Sequence, residues 1–350
     1  MVTMALRATR SASRAARIAE AVATGPFGAL SHDELGVIVD GLADPLQPVV
    51  AVALSSTCLG LRTPLRAALE VLKERHSRAK ELCRKMHMSC ERTRTTDHWS
   101  FYSMRVTAAD MATLGMVMCW LPALQELYLS ERGLGDAGLV ALCDALAQGA
   151  APSLTDVYLS SNKIGPAGAE ALAAALSRGA LPNLKMLCLH GNPLGSPGVA
   201  ALAVPLRTHP CLNFLSLYEC RIGDKGLASL VGNLGKDDFK ALGLLDLDTN
   251  ELTDESCTTI VAALDNGAMP EINQLLMLEG HALSEKATDA FRASAGRRGI
   301  TIVDEVYEGN STQGFAEDMA ADQIGGMDMA EDQNGGMDEV SEGDSTQPGM

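Results

Sequence analysis

Residues 154–183 read LTDVYLSSNKIGPAGAEALAAALSRGALPN. The first nine positions place apolar side chains at offsets 0, 3 and 5, as Leu154, Val157 and Leu159, and an amide at offset 8, Asn162. The period then changes. Gly165, Pro166 and Gly168 punctuate a turn, and Ala169, Leu172, Ala173 and Leu176 follow at the i, i+3, i+4, i+7 spacing of a helix face. The stretch predicts one short strand, one bend and one helix. A unit this small cannot bury both its strand and its helix face alone, so it must stack on copies.

Shifting the chain along itself by about thirty residues finds those copies. LQELYLSERGLGDAGLVALCDALAQGAAPS begins at Leu124, LKMLCLHGNPLGSPGVAALAVPLRTHPC at Leu184, LNFLSLYECRIGDKGLASLVGNLGKDDFKA at Leu212 and LGLLDLDTNELTDESCTTIVAALDNGAMPE at Leu242. A sixth copy keeps Ile272, Leu275 and Met277, but its His281 and Leu283 fall one place late. An opening unit over residues 99–123 retains only a helix, through Met111, Leu114, Gly115 and Met118, and residues 300–303 read as a last bare strand.

This pattern, LxxLxLxxN followed by a Gly-punctuated helix at a pitch of 28–30, resembles the ribonuclease-inhibitor class of leucine-rich repeats over residues 99–303. The resemblance implies a right-handed α/β solenoid, a partial horseshoe with a parallel inner sheet and outer helices. The offset-8 residues Asn162, Asn192 and Asn250, with Cys220 as the alternative the motif allows, form its structural ladder. Each amide can bond the backbone at the strand-to-bend corner of neighbouring units. Arg132 and Gly280 stand where Asn is expected, so the ends of the array should be less regular than its middle.

Composition agrees. The chain has 350 residues, of which 47% are hydrophobic and 4% aromatic, enough Leu and Ala for a sizeable core. Its formal charge of −16 is uneven. Residues 1–100 hold 14 Lys/Arg against 10 Asp/Glu, residues 101–303 hold 14 against 21, and residues 304–350 hold none against 13. Nucleic acid is not an expected partner, because phosphate binding needs clustered cations that the repeats lack. Nine cysteines without a CxxC pair point to a reduced, cytoplasmic or nuclear setting. No apolar run reaches membrane-spanning length, so no membrane partner is expected.

Outside the repeats, residues 1–25 carry Arg7, Arg10, Arg14 and Arg17 among Ala and Ser, the composition either of an organelle-targeting segment or of a frayed basic helix. Residues 28–63 set Leu30, Leu35, Ile38 and Leu42 on one helical face ahead of a turn at Pro45. With Glu34 and the segment from Ser55 to Arg62, they resemble an F-box. That resemblance implies docking on a Skp-type adaptor of a cullin ubiquitin ligase, with the repeats capturing substrate; the bland reading is a helical cap over the first repeat. Residues 64–98 predict a long helix whose seam is Leu65, Leu69, Leu72, His76, Ala79, Cys83 and Met86. The tail, 304–350, has no apolar periodicity and an acidic Gly/Asp/Glu/Met composition, so disorder is expected there.

No catalytic constellation is present, and no cofactor or metal is expected. Cys83, His87 and Cys90, with His98 beyond, have a zinc-like spacing but sit on an ordinary helix seam. Asp246, Asp248, Asn250 and Asp254 mimic a calcium loop, yet Glu251 and Cys257 occupy the positions that need Gly and Glu. Gly232 and Gly235 with Lys236 form too short a phosphate loop.

The informative residues are those the repeat leaves unused. Alternation sends offsets 2, 4 and 6 onto the concave sheet face, away from the core. These positions, with the adjoining loop, present Glu126, Tyr128, Glu131, Asp156, Tyr158, His190, Phe214, Tyr218, Asp246 and Asp248, in a chain expected to be monomeric. Tyr128 and Tyr158 should be close neighbours on adjacent strands. Aromatics beside carboxylates suit a protein partner with basic character, making the chain a non-enzymatic binding scaffold. Similar repeats ahead of an acidic tail also resemble the GTPase-activating protein of Ran, for which Arg132 is the residue to test, and the repeats of NLR immune regulators.

Overall fold

The computed structural model describes residues 44–49, 52, 66–101, 105–146, 151–235 and 237–302. The basic residues 1–25, the F-box-like positions Leu30, Leu35, Ile38 and Leu42, and the acidic residues 304–350 lie outside them.

Eight strands form one parallel sheet in chain order: β1 (His98–Ser100), β2 (Glu126–Tyr128), β3 (Asp156–Tyr158), β4 (Met186–Cys188), β5 (Phe214–Ser216), β6 (Leu244–Asp246), β7 (Gln274–Leu276) and β8 (Thr301–Ile302). A short α-helical N-terminal part, α1 (Arg66–Lys85) and α2 (Cys90–Thr93), precedes β1. The connections then run through α3 (Ala108–Val117), α4 (Gly135–Ala145), α5 (Pro166–Ser177), α6 (Gly195–Arg207), α7 (Asp224–Val231), α8 (Asp254–Asp265) and α9 (Glu285–Arg297). This is an α/β repeat solenoid, and registers such as Leu127↔Val157↔Leu187↔Leu215↔Leu245↔Leu275 hold each leucine column in line. Strand and helix faces close on one continuous core from Leu46 to Ile300. At Gly115 one helix face approaches the next so closely that an added Cβ would lie 2.6 Å from the Ala145 methyl.

The opening unit is more complete than its sequence suggests. β1 pairs in register with β2, placing Trp99 beside Leu127, and both Trp99 and Phe101 are buried in the positions that Leu fills elsewhere. Helix α1 packs on α3 and buries Leu72, Ala79 and Cys83 of the expected seam together with Leu82, which lies off it, and it ends at Lys85 instead of running on to residue 98. Residues 44–49 close over it. Leu46 joins the core, the Pro45 carbonyl lies 2.7 Å from His76 Nδ1, and Asp44 pairs with Arg94.

Three sets of side chains tie successive repeats together. At the bend, Asn192 Oδ1 accepts from the N–H groups of Asn162 and Ile164 at 2.9 and 3.0 Å, while its Nδ2 donates to the carbonyls of Leu159 and Leu189 at 2.9 and 2.8 Å. Asn162 and Asn250 repeat the pattern toward the units before them. The Cys220 thiol reproduces the donor half, at 3.2 Å from the Leu189 carbonyl oxygen, and its sulfur meets the Asn192 N–H as a weak acceptor.

The last bend departs from expectation in an orderly way. His281, one place after Gly280, puts Nε2 3.1 Å from the Leu247 carbonyl and Nδ1 2.7 Å from that of Asn250. Its ring thus reaches the preceding unit from a position shifted by one residue. The shift is accommodated at Gly280, whose φ of +74° and 2.7 Å separation between a hypothetical Cβ and Thr249 Cα exclude any side chain.

A second set lies at the helix starts. Asp136 Oδ1 accepts from the N–H groups of Gly165 and Gly168, at 2.6 and 3.0 Å, thereby capping the next repeat's helix. Asp224 does the same for Thr253, and Asp254 for Ser284. The third set is cationic: Arg207 Nε donates to the Leu230 carbonyl at 2.8 Å near the end of α7, and Arg298 reaches the Ala268 and Met269 carbonyls at 2.6 and 2.8 Å in the loop just past α8.

Candidate protein-interaction face

One side of the sheet is covered by the helices; among the described residues the other is open. Alternation puts β-strand offsets 2 and 4 on the open side, and the residue at offset 6 continues the row just beyond each strand. The first row runs His98, Glu126, Asp156, Met186, Phe214, Leu244 and Gln274 in register. The second runs Ser100, Tyr128, Tyr158, Cys188, Ser216, Asp246 and Leu276.

Tyr128 and Tyr158 stack with ring centroids 4.5 Å apart and planes 4° from parallel. Both rings are half-buried. The Tyr128 hydroxyl donates to Glu126 Oε2 at 2.7 Å, and burial followed by that carboxylate pushes its phenol pKa well up. Tyr158 is likewise raised, chiefly by burial. Asp156 lies beside Glu126 in register and accepts from the Thr155 hydroxyl at 3.0 Å. Burial holds its pKa above the ordinary value, with Glu126 adding to the shift and Lys185 opposing it.

Farther along, Met186, Phe214 and Leu244 are half-buried neighbours on β4, β5 and β6. His190 and Tyr218 meet edge to face at 6.2 Å, and burial lowers the His190 pKa against the opposing fields of Glu219 and Glu131. Asp246 accepts from the Ser216 hydroxyl at 2.9 Å and from the Asp248 N–H at 3.2 Å. Burial raises its pKa to about 6, against those hydrogen bonds, with Glu279 adding to the rise.

The expected site residues do not all reach the surface. Glu126, Tyr128, Asp156, Tyr158, His190, Phe214, Tyr218 and Asp246 are half-buried, and Glu131 is exposed. Asp248 is only 2% exposed and corrects the expectation that it faces a partner. Its carboxylate is turned back to accept from the Glu279 N–H at 2.9 Å, and burial raises its pKa to about 7. Alternation specifies which way a side chain leaves the backbone; it does not specify what neighbouring chains cover. Met186 and Leu244 lie on the face where alternation puts their offset, and Glu279 in the adjoining loop joins it although the sequence reading did not select it.

Other candidate motifs resolve differently. Asn250 and Asp254 of the calcium-like run are engaged in the bend and helix-start bonds. Cys83 accepts from the Thr93 hydroxyl at 3.4 Å and its pKa is lowered to about 7, chiefly by the neighbouring Cys90 thiol, whereas His87 is exposed. Among the described residues no group of three or more His, Cys, Asp or Glu is placed to hold a metal ion. Among them, too, no helix is long and apolar enough to cross a membrane.

The family model described as Leucine Rich repeat matches residues 150–173 and 208–231. Both matches fall on units that the structure shows as strand, bend and helix. Those two stretches match leucine-rich repeats. No curated protein matches it. Among solved structures, the chain is similar to that described as the crystal structure of a TLR13–ssRNA13 complex, at 15% identity and a TM-score of 0.31, over 59% of this chain and 32% of that one. It thus spans about a third of that protein's length, and so distant a likeness carries nothing about function.

Proposed function

We propose that the leucine-rich repeats form a protein-interaction scaffold whose partner docks on the open sheet face. The observation that carries this reading is the Tyr128–Tyr158 stack, two large rings held parallel on the uncovered side of the sheet and flanked by carboxylates. Preordered aromatic side chains lose little rotamer freedom on binding and dominate many interface energies. The apolar run Met186, Phe214 and Leu244 extends the same surface. A cytoplasmic or nuclear location and a monomeric state accompany this reading. Affinity capture with the intact chain, compared with a Tyr128→Ala/Tyr158→Ala/Tyr218→Ala variant, tests it. The same proteins retained by both would place binding elsewhere.

Coupling of the scaffold to a ubiquitin ligase through residues 28–63 is the finer proposal and rests on the F-box resemblance. Pro45, one of its expected contact residues, is buried near α1, which favours a capping role for at least that end of the segment. Capture of a Skp-type adaptor by the intact chain, lost with Leu35→Asp plus Ile38→Asp, would support the adaptor role; no capture removes it. The alternative is a Ran-GTPase-activating-protein-like or NLR-like regulator, for which Arg132 is half-buried at the first full bend. Unchanged Ran GTP turnover with the intact chain would eliminate the GTPase reading.

A further inference from the structure

The open face is polarised along the row of strands in a way that the repeat does not require. Its first row begins with two carboxylates in register, Glu126 on β2 and Asp156 on β3, and continues with three apolar side chains, Met186, Phe214 and Leu244, on β4 to β6. The second row places Asp246 on β6, next to Leu244 along the strand. Glu279 is exposed just past β7, with its N–H on the carboxylate of the buried Asp248. Negative charge therefore stands at both ends of an apolar centre.

Among the described residues, no Lys or Arg forms an ion pair with Glu126, Asp156, Asp246, Asp248 or Glu279. Bonds to Glu126, Asp156 and Asp246 come from hydroxyls and backbone N–H groups, which leave net negative charge in place. Elsewhere the same repeats do supply cations to acids, as Arg297 does to Asp265 at 2.6 Å. Among the described residues the two acidic ends thus have no ion-paired cation, Lys185 exerting only an opposing field on Asp156, and partial burial makes that charge costly until an opposite charge arrives.

We propose that the occupant of this face is an extended segment of a partner protein with basic side chains at i and i+4 and an apolar side chain at i+2. One basic group sits at Glu126 and Asp156, the apolar group on Met186, Phe214 and Leu244, and the second basic group at Asp246 and Glu279. The spacing follows from the backbone geometries. From β3 to β6 is three strand intervals, roughly 14 Å at about 4.8 Å each, and four residues of extended chain span about 13 Å. In an extended segment i, i+2 and i+4 leave on one side, so all three groups meet the face together. The Tyr128–Tyr158 stack beside the first acidic pair offers π-faces to an arginine there. This inference rests on the open face being the docking surface and adds the chemistry of what docks.

The test uses the full chain and three capped peptides, Arg-Ser-Leu-Ser-Arg, Arg-Ser-Ser-Ser-Arg and Glu-Ser-Leu-Ser-Glu, titrated by NMR or calorimetry at low salt. The Arg-Ser-Leu-Ser-Arg peptide should bind most tightly, and Asp156→Asn and Asp246→Asn should each weaken it roughly five- to tenfold. Glu170→Gln, on the exposed side of α5, should leave binding unchanged. Both Asn variants preserve side-chain shape, and unchanged circular dichroism would exclude loss of fold as the cause. Equal binding of the three peptides, no saturation by Arg-Ser-Leu-Ser-Arg at millimolar concentration, or wild-type binding by both Asn variants overturns the proposal. If the tyrosine variant still loses its captured proteins in that event, the face remains the docking surface and only the basic-apolar-basic occupant fails.

Discussion

Tyr128 and Tyr158, thirty residues apart in sequence, lie in contact as parallel rings with centroids 4.5 Å apart. The contact is produced by the repeat: equal unit length and in-register pairing of β2 with β3 leave the two side chains nowhere to stand but side by side. A double-mutant cycle with Tyr128→Ala and Tyr158→Ala, read by urea unfolding, should give a coupling of about 0.5–1.5 kcal/mol. Strict additivity would mean that the stack contributes nothing beyond the area each ring covers.

Asn192 serves four buried backbone groups at once. Asn192→Ala should cost about 3 kcal/mol, since each stranded group costs roughly 1–3 kcal/mol and the bend relaxes in part. Cys220→Asn should act in the opposite direction, because an amide oxygen is a stronger acceptor for the Asn192 N–H than the thiol sulfur. Its expected rise in thermal midpoint is about 2–4 °C, the scale of a 1 kcal/mol gain in a chain of this size. Calorimetry on the two variants checks both signs.

The helix-start bonds predict a smaller effect. Asp224 accepts from the Thr253 N–H and hydroxyl at 2.9 and 2.8 Å and from the Ser256 hydroxyl. Asp224→Ala should destabilise by about 1 kcal/mol, as loss of a helix cap does, and Asp224→Asn by less. Equal losses for the two variants would assign the effect to charge instead of hydrogen bonding.

Asp248 predicts the pH response. Its folded-state pKa, raised by burial to about 7, exceeds that of an unfolded aspartate, so between about pH 4 and pH 7 the native state holds a proton that the unfolded chain has released. Stability from this group is therefore present at low pH and lost as pH rises through about 7. Asp246 and Glu279 face it and reinforce the shift, while the Glu279 N–H opposes it. Thermal midpoints should fall between pH 5 and 7.5, and Asp248→Asn, which retains an oxygen for the Glu279 N–H, should flatten that fall. Asp224, whose pKa is lowered, contributes the opposite slope at more acidic pH.

The leucine columns, the Asn bends and the tyrosine rows were legible because each is a period, and a period survives without any knowledge of neighbours. What failed was substitution within the period. Trp99 and Phe101 occupy leucine places in β1, so a search for Leu missed a strand that pairing with β2 makes plain. His281 supplies from a shifted position one contact expected of an Asn one place earlier, that to the Leu247 carbonyl, and adds one to the Asn250 carbonyl, which the aligned motif cannot express. The helix-start bonds have a visible signal in Asp224 and Asp254, thirty residues apart in the first turns of helices, but nothing within one unit says that such a carboxylate caps the helix of the next. Burial of Asp248 depends on the neighbouring loop, which no alternation rule contains.

The bend amides all reach backward: Asn162 satisfies groups of the unit before it, as do Asn192 and Asn250. During synthesis, then, a coil leaving the ribosome has a corner that its successor must finish, and assembly trails translation by one coil. A chain released early would end in an unfinished corner, which gives quality control a recognisable mark of incompleteness at the carboxyl end.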